Sequence, residues 1–299
     1  MRWRKVKNPD VIDQRGAGGG MGGLPFPMPG GRGGAAAGGL GLIGVLIVVL
    51  LQTCGGGSGA TFNLPAGFDT TAQAPGQATG IPASEDPDRD LKDFSSYVFT
   101  DTQETWSGTF QRDGQPYENA QLVFYTGGVN TACGGASSAV GPFYCPGDQR
   151  VYLDLSFYRQ MQQQLGASGD FAWAYVIAHE MGHHVQTQTG TSDQVRELQR
   201  QNPDQANQLS VRQELQADCY AGVWANTVFQ EGALEEGDLE EAFAASEAVG
   251  DDRIQRQATG SVNPDTFTHG SSEQRRNWFN RGYESGEASA CDTYSPDEV

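Results

Sequence analysis

Histidine is scarce in this chain: there are four in 299 residues, and three of them fall at 179, 183 and 184. They stand in the run Ala174-Tyr175-Val176-Ile177-Ala178-His179-Glu180-Met181-Gly182-His183-His184-Val185-Gln186. On an α-helix, side chains four apart lie one above the other on a single face. His179 and His183 can therefore present two imidazoles to one metal ion. Glu180, next to the first of them, is placed to act as general base on a metal-activated water. Tyr175, Val176 and Ala178 suit a buried helix, which would hold such ligands rigidly at low dielectric. A chance match within a buried helix is the plain alternative, but it would use half of the histidine supply. His184 falls well round the helix from the other two and reads as a packing residue or a partner behind the ligands.

A catalytic zinc keeps three protein ligands and one open position, so another ligand has to come from elsewhere. The His-x-x-Gly-x-x-His extension of metzincins is absent, because Gln186 stands at the glycine position and Thr189 at the distal histidine. The best source is Gln213-Glu214-Leu215-Gln216-Ala217-Asp218-Cys219-Tyr220, which reads as helix. Glu214 and Asp218 are four apart and share a face. Glu214 is expected to coordinate the metal, while Asp218 accepts a hydrogen bond from a ligand histidine and fixes its tautomer. Solvated helix carboxylates are the ordinary fate of such residues. A nearby zinc motif in need of a carboxylate favours the ligand reading.

These residues have to be positioned by a domain shorter than the chain. The 41 glycines crowd into the first third, and residues 1–34 are basic, then Gly-rich, without the apolar periodicity of a core. That composition predicts a disordered cytoplasmic segment. Residues 35–52 contain the uncharged run Ala35 to Leu51, at the short end of what spans a bilayer. Basic residues precede that run, and none follows it before Arg89, which predicts a single-pass transmembrane helix with the remainder outside the cytoplasmic membrane. Residues 53–87 read as a flexible linker rich in Gly, Pro, Ala, Thr and Ser, and residues 88–299 as the catalytic domain. Formal net charge is −18, from 19 Lys+Arg against 37 Asp+Glu. With no basic cluster in the globular part, nucleic acid is excluded as a partner.

Within the domain, Leu91, Phe94, Val98 and Trp106 follow a helical stripe ending near Arg112. Residues 120–126 and 151–155 read as strands, with a Gly-rich, Cys-flanked loop between them. Helices are expected over 156–165, 171–186, 193–201, 204–229, 238–249 and 271–283. Cys133 and Cys145 flank the short loop and are candidates for a local disulfide. Cys219 and Cys291 could clamp the C-terminal tail to the core. Four cysteines allow three pairings, so spacing leaves the connectivity open; Cys54 is left over. Disulfides would suit an oxidising compartment.

HEMGHH followed by ELQADCYAG resembles gluzincin peptidases. With Gly141-Pro142-Phe143-Tyr144-Cys145-Pro146 and Val151-Tyr152-Leu153-Asp154-Leu155 it is similar to the YpfJ-like family of bacterial neutral zinc metallopeptidases, whose members are largely named by inference. The resemblance runs from about Asp88 to the C-terminus and extends to the basic, then Gly-rich, N-terminus. It implies Zn²⁺ held by His179, His183 and Glu214, and a zincin-like α+β fold. Such a fold packs a small sheet on a long zinc helix and follows it with a mostly helical C-terminal half. Phe267-Thr268-His269-Gly270 is similar to a Thr-His-Pro stretch late in membrane-bound gluzincins, where the histidine lies near the reacting carbonyl. Here Gly270 replaces the proline. His269 is thus a candidate oxyanion donor, or else a cap for the following helix; Arg275 is expected to pair with a carboxylate. By zincin analogy, Val151 to Leu155 would be the edge strand that pairs with substrate.

The expected function is a membrane-anchored zinc metalloendopeptidase acting on proteins or peptides of the cell envelope, with Glu180 as base and His269 assisting. An envelope scaffolding protein that keeps its zinc with little turnover is the alternative, and a non-peptidase metallohydrolase a more distant one. An intact Glu180 argues against the scaffold, because a structural site has no use for a general base.

Overall fold

The structure is a computed structural model, and it describes residues 1–16 and 80–295. Its order of elements is α+β, with small sheets followed by a run of helices. Helix α1 (Arg89–Arg112) precedes strand β2 (Gln121–Tyr125). A hairpin of β3 (Gly128–Thr131) and β4 (Gly134–Ser137) follows, and then β5 (Phe143–Cys145) and β6 (Arg150–Asp154). The helical part comprises α2 (Ser156–Gln160), α3 (Asp170–Gln188), α4 (Thr191–Gln201), α5 (Ala206–Gln230), α6 (Asp238–Ala248), α7 (Asp251–Thr259) and α8 (Ser272–Ser285). The strand at the start of the chain, β1 (Val11–Asp13), completes a four-stranded sheet in the order β1-β2-β6-β5.

β2 and β6 run parallel in the middle of that sheet and are buried along nearly their whole length. Both faces are covered, which is why LVFY and VYLD read as continuous apolar runs rather than alternating ones. Strand β5 pairs antiparallel with β6 and is an edge. The expectation that Val151 to Leu155 forms the substrate-facing edge is therefore corrected: β6 has a neighbour on each side, and the edge over the zinc-motif helix is β5. Helix α3 lies between this sheet, α1 and the α5–α6 layer, so almost every residue from Phe171 to Gln186 is buried. Trp173 fixes it to α1 by donating from Nε1 to Ser95 Oγ at 2.8 Å.

The N-terminal expectations need correction. Residues 1–16, expected to be part of a disordered segment, are folded onto the domain. β1 pairs in parallel with β2, with Ile12 opposite Val123. The amino group of Met1 donates to Asp170 at 3.0 Å and to Asp238 at 3.1 Å. Arg15, only 2% exposed, makes paired bonds to Asp86 (2.6 and 3.1 Å) and to Asp13 (2.8 and 2.9 Å). Arg15, which read as part of a charged tail, is thus spent on the buried carboxylate of Asp86, and Lys5 pairs with Asp93 at 2.7 Å. Asp86 also shows that residues 80–87, assigned to the flexible linker, include a buried anchor. Among the described residues no helix is long and apolar enough to cross a membrane. Among the described residues the fold class is therefore α+β with no transmembrane helix, and the run 35–52 that suggested one lies outside them, as does Cys54.

Losing one partner of a buried ion pair leaves an uncompensated charge and costs about 3–5 kcal/mol. Arg15→Met is expected to lower the unfolding free energy by about that amount, measured by denaturant titration. Arg15→Met with Asp86→Asn should recover part of it. An unchanged midpoint in the single variant would show that β1 does not hold this part of the fold together.

Candidate metal centre

Helices α3 and α5 bring together the residues that the sequence pairs by helical spacing. His179 Nε2 lies 3.2 Å from Glu214 Oε2, and His183 Nε2 lies 3.5 Å from Glu214 Oε1. These three side chains offer ligand atoms that all fall within 4.8 Å of one another. The approach depends on Gly182, where an added Cβ would sit 2.9 Å from the Ala217 carbonyl oxygen and 3.0 Å from its Cα. Any side chain at 182 would push the helices apart and pull Glu214 away from the histidines.

Each imidazole is held from behind through Nδ1. His179 Nδ1 lies 2.8 Å from Asp218 Oδ1. Asp218 is fully buried and receives Arg275 Nε at 2.7 Å and Nη2 at 2.9 Å, with the Tyr175 hydroxyl as a further donor. Burial alone would push the Asp218 carboxyl up, but Arg275 and His179 pull it below its usual range. Arg275 thereby meets its expected carboxylate. His183 Nδ1 is bonded to Gln186 Oε1 at 2.9 Å. With Nδ1 occupied in both rings, Nε2 is the atom left for a metal.

The electrostatics divide the carboxylates by role. Glu214 would be raised by burial, yet His183 and His179 hold it well below its ordinary value, so it stays an anionic donor. Burial lowers His179, and Asp218 and Glu214 more than reverse this, leaving it up at about 10. Glu180 is 8% exposed, belongs to no ligand group, and is raised chiefly by burial, with the two histidines opposing. His184 points elsewhere. Its Nε2 donates to the Glu118 carbonyl at 2.8 Å and its Nδ1 accepts from the Tyr144 hydroxyl at 3.1 Å, so it is a neutral packing residue.

His269 is near enough to Glu214 to help lower that carboxyl. It is not the cap of α8, since Ser271 and Gln274 form a capping box there. Its loop is built around Asp251, which the sequence reading missed because α7 was not anticipated. Asp251 Oδ2 accepts from the backbone N–H of Thr268 (2.6 Å), His269 (2.7 Å) and Gly270 (3.2 Å), and Oδ1 lies 3.1 Å from His269 Nδ1. Gly270 has φ +93°, a conformation closed to proline, whose ring fixes φ near −65°. The glycine that departs from the Thr-His-Pro pattern therefore gives this loop a backbone path of its own. Tyr175 and Gln186 were also missed. Gln186 had one available signal, its position three residues after His183 on the same helix.

Whether zinc fits is a matter of spacing and chemistry. Ligands about 2.1 Å from a tetrahedral zinc are about 3.4 Å from each other. The 3.2 and 3.5 Å separations to Glu214 match that shell, and two imidazoles with one carboxylate suit this borderline ion. The site thus gathers three side chains that could hold one metal ion, with a further buried carboxylate, Glu180, nearby. The chain belongs to the family described as "Putative neutral zinc metallopeptidase", whose model matches residues 1–294. It is 46% identical over 307 residues to "Uncharacterized protein YpfJ" of Escherichia coli strain K12, covering 98% of this chain and 99% of that one. It is 48% identical over 190 residues to "Uncharacterized protein Rv2575" of Mycobacterium tuberculosis strain H37Rv, covering 60% and 64% respectively. No solved structure matches significantly.

The purified protein is expected to carry one zinc per chain by elemental analysis, and to lose it in His179→Ala, His183→Ala and Glu214→Ala but not in His184→Ala. Full occupancy in Glu214→Ala would remove that residue from the ligand set. Asp218→Ala should weaken zinc binding about 10–100-fold and also destabilise the fold, since Arg275 would be left buried without its partner.

Proposed function

We propose that the protein is a zinc metalloendopeptidase that hydrolyses peptide bonds in proteins or peptides, with His179, His183 and Glu214 holding the metal. The observation that carries this reading is Glu180: a buried carboxylate with a raised pKa, adjacent to the ligands but not among them. A purely structural centre would leave such a group unexplained. When bound, zinc supplies Lewis acidity, polarising the scissile carbonyl and making water a competent nucleophile near neutral pH. Glu180 takes a proton from the attacking water and passes it to the leaving amine. Its desolvated carboxylate is a stronger base than a solvated one. His269 Nδ1 lies 3.1 Å from Asp251 Oδ1, which leaves Nε2 as the atom that would donate to the oxygen that gains charge. The free edge of β5, which packs on α3, offers backbone groups to an extended peptide.

Two disulfides, Cys133–Cys145 and Cys219–Cys291, support action in an oxidising compartment such as the cell envelope. Thiol labelling of denatured protein from cells should find all four cysteines blocked until reduction; four free thiols would remove that support.

Glu180→Gln keeps shape but cannot accept a proton, so cleavage of a fluorogenic peptide library should fall about 10²–10⁴-fold, with zinc content and Tm near wild type. His269→Ala should lower turnover by at most about 10²–10³-fold, also with zinc retained. Undiminished, chelator-sensitive cleavage by Glu180→Gln would overturn the mechanism. A wild-type protein that cleaves nothing, and a deletion strain rescued equally well by Glu180→Gln, would favour the scaffold.

A further inference from the structure

We propose that Gln186 and Gln216 are positioning residues that lock His183 in its metal-ligating tautomer, and that the disulfide-tethered C-terminal strap anchors them. This rests on the reading of His183 as a metal ligand and extends it to side chains that would touch no metal.

The polarity of the chain is dictated by two backbone carbonyls. The Gln186 side chain is fully buried, and its amide nitrogen lies 2.7 Å from the Gln213 carbonyl oxygen. A carbonyl can only accept, so that end of the amide must be the NH₂ group. The other end is then the oxygen, which faces His183 Nδ1 at 2.9 Å and can itself only accept. Nδ1 therefore carries a proton, and Nε2 is the atom left for a metal, on the side where Glu214 Oε1 lies 3.5 Å away. Turning the amide end for end would put carbonyl against carbonyl at a fully buried position. The remaining N–H of Gln186 reaches Gln216 Oε1 at 3.0 Å, and Gln216 Nε2 in turn donates to the Cys291 carbonyl at 3.0 Å. That second carbonyl orients Gln216 just as Gln213 orients Gln186.

Cys291 lies there because the strap is fastened along α5. Its sulfur is bonded to Cys219, and beyond it Thr293 Oγ1 donates to the Arg212 carbonyl at 2.7 Å while the Arg212 guanidinium bonds the Thr293 carbonyl. The hydrogen-bonded series thus runs from a covalently tethered tail through two buried amides to one imidazole. His179 has no part in it, since its support is the ionic one through Asp218 and Arg275.

The test uses the full chain, stripped of metal and titrated with zinc against a chromophoric chelator, with the visible spectrum of the Co²⁺ form as a second readout. Gln186→Leu is expected to weaken zinc binding about 10–100-fold and to alter the Co²⁺ bands. Gln216→Leu and the Cys219→Ser/Cys291→Ser pair should weaken it in the same direction by less. A wild-type Kd and Co²⁺ spectrum in Gln186→Leu would overturn the proposal. Should that variant not fold, Gln216→Leu carries the test, because it leaves the His183–Gln186 contact in place; a wild-type Kd there overturns the relay. His183→Ala separates the two readings. Zinc retained in His183→Ala sinks the ligand assignment, whereas zinc lost there with unchanged Kd in both glutamine variants sinks the relay alone.

Discussion

Asp218 carries a negative charge with no exposed surface, and the candidate metal centre depends on Arg275 meeting that charge from the next helix over. An unmatched carboxylate at such a place would be costly enough to protonate or to move, and either event would release His179. With Arg275 in place the pair is neutral overall, so Asp218 can orient an imidazole without adding net charge beside the ligands. Tyr175 joins the same point from the zinc-motif helix. Three helices, α3, α5 and α8, are thereby tied together at one carboxylate, and none can slide without breaking charge-assisted bonds. A buried pair of this kind adds little to stability for its own sake, but it selects one arrangement among those that apolar packing would tolerate.

The remaining parts are assembled on that frame by different means. Glu214 reaches the histidines because two helices touch at Gly182 and Ala217. His183 is steadied by a neutral amide rather than a carboxylate. His269 arrives on a loop whose three consecutive N–H groups converge on one oxygen of Asp251. Rigid helices thus carry the ligands, while the candidate oxyanion donor sits on a loop held by a single buried acid.

What could be read in advance follows the range of the interactions involved. His179 with His183 and Glu214 with Asp218 are spaced four apart on helices, so geometry within one turn sufficed to put each pair on a common face. The long helices α1, α3, α5 and α8 were legible for the same reason. Strand order is a property of the whole sheet, and nothing within Val151 to Leu155 reveals that β5 lies outside it. The short strands of the Gly-rich loop and helix α7 carried too little periodicity to be seen, and Asp251 was missed with α7. Residues 1–16 misled through composition: Arg2, Arg4, Lys5 and Arg15 look like a solvated tail until Asp13 and Asp86 are found around Arg15.

The place of β1 bears on how the molecule comes to be folded. This strand is made first, yet its partner β2 begins at residue 121, so it has nothing to pair with until much of the chain exists. Its docking closes a long loop, and contacts of that separation are slow to form and raise the contact order. The entropic cost grows only logarithmically, by about 0.6 kcal/mol for each doubling of the loop. The distance along the chain between β1 and β2 is therefore felt more in folding time than in stability.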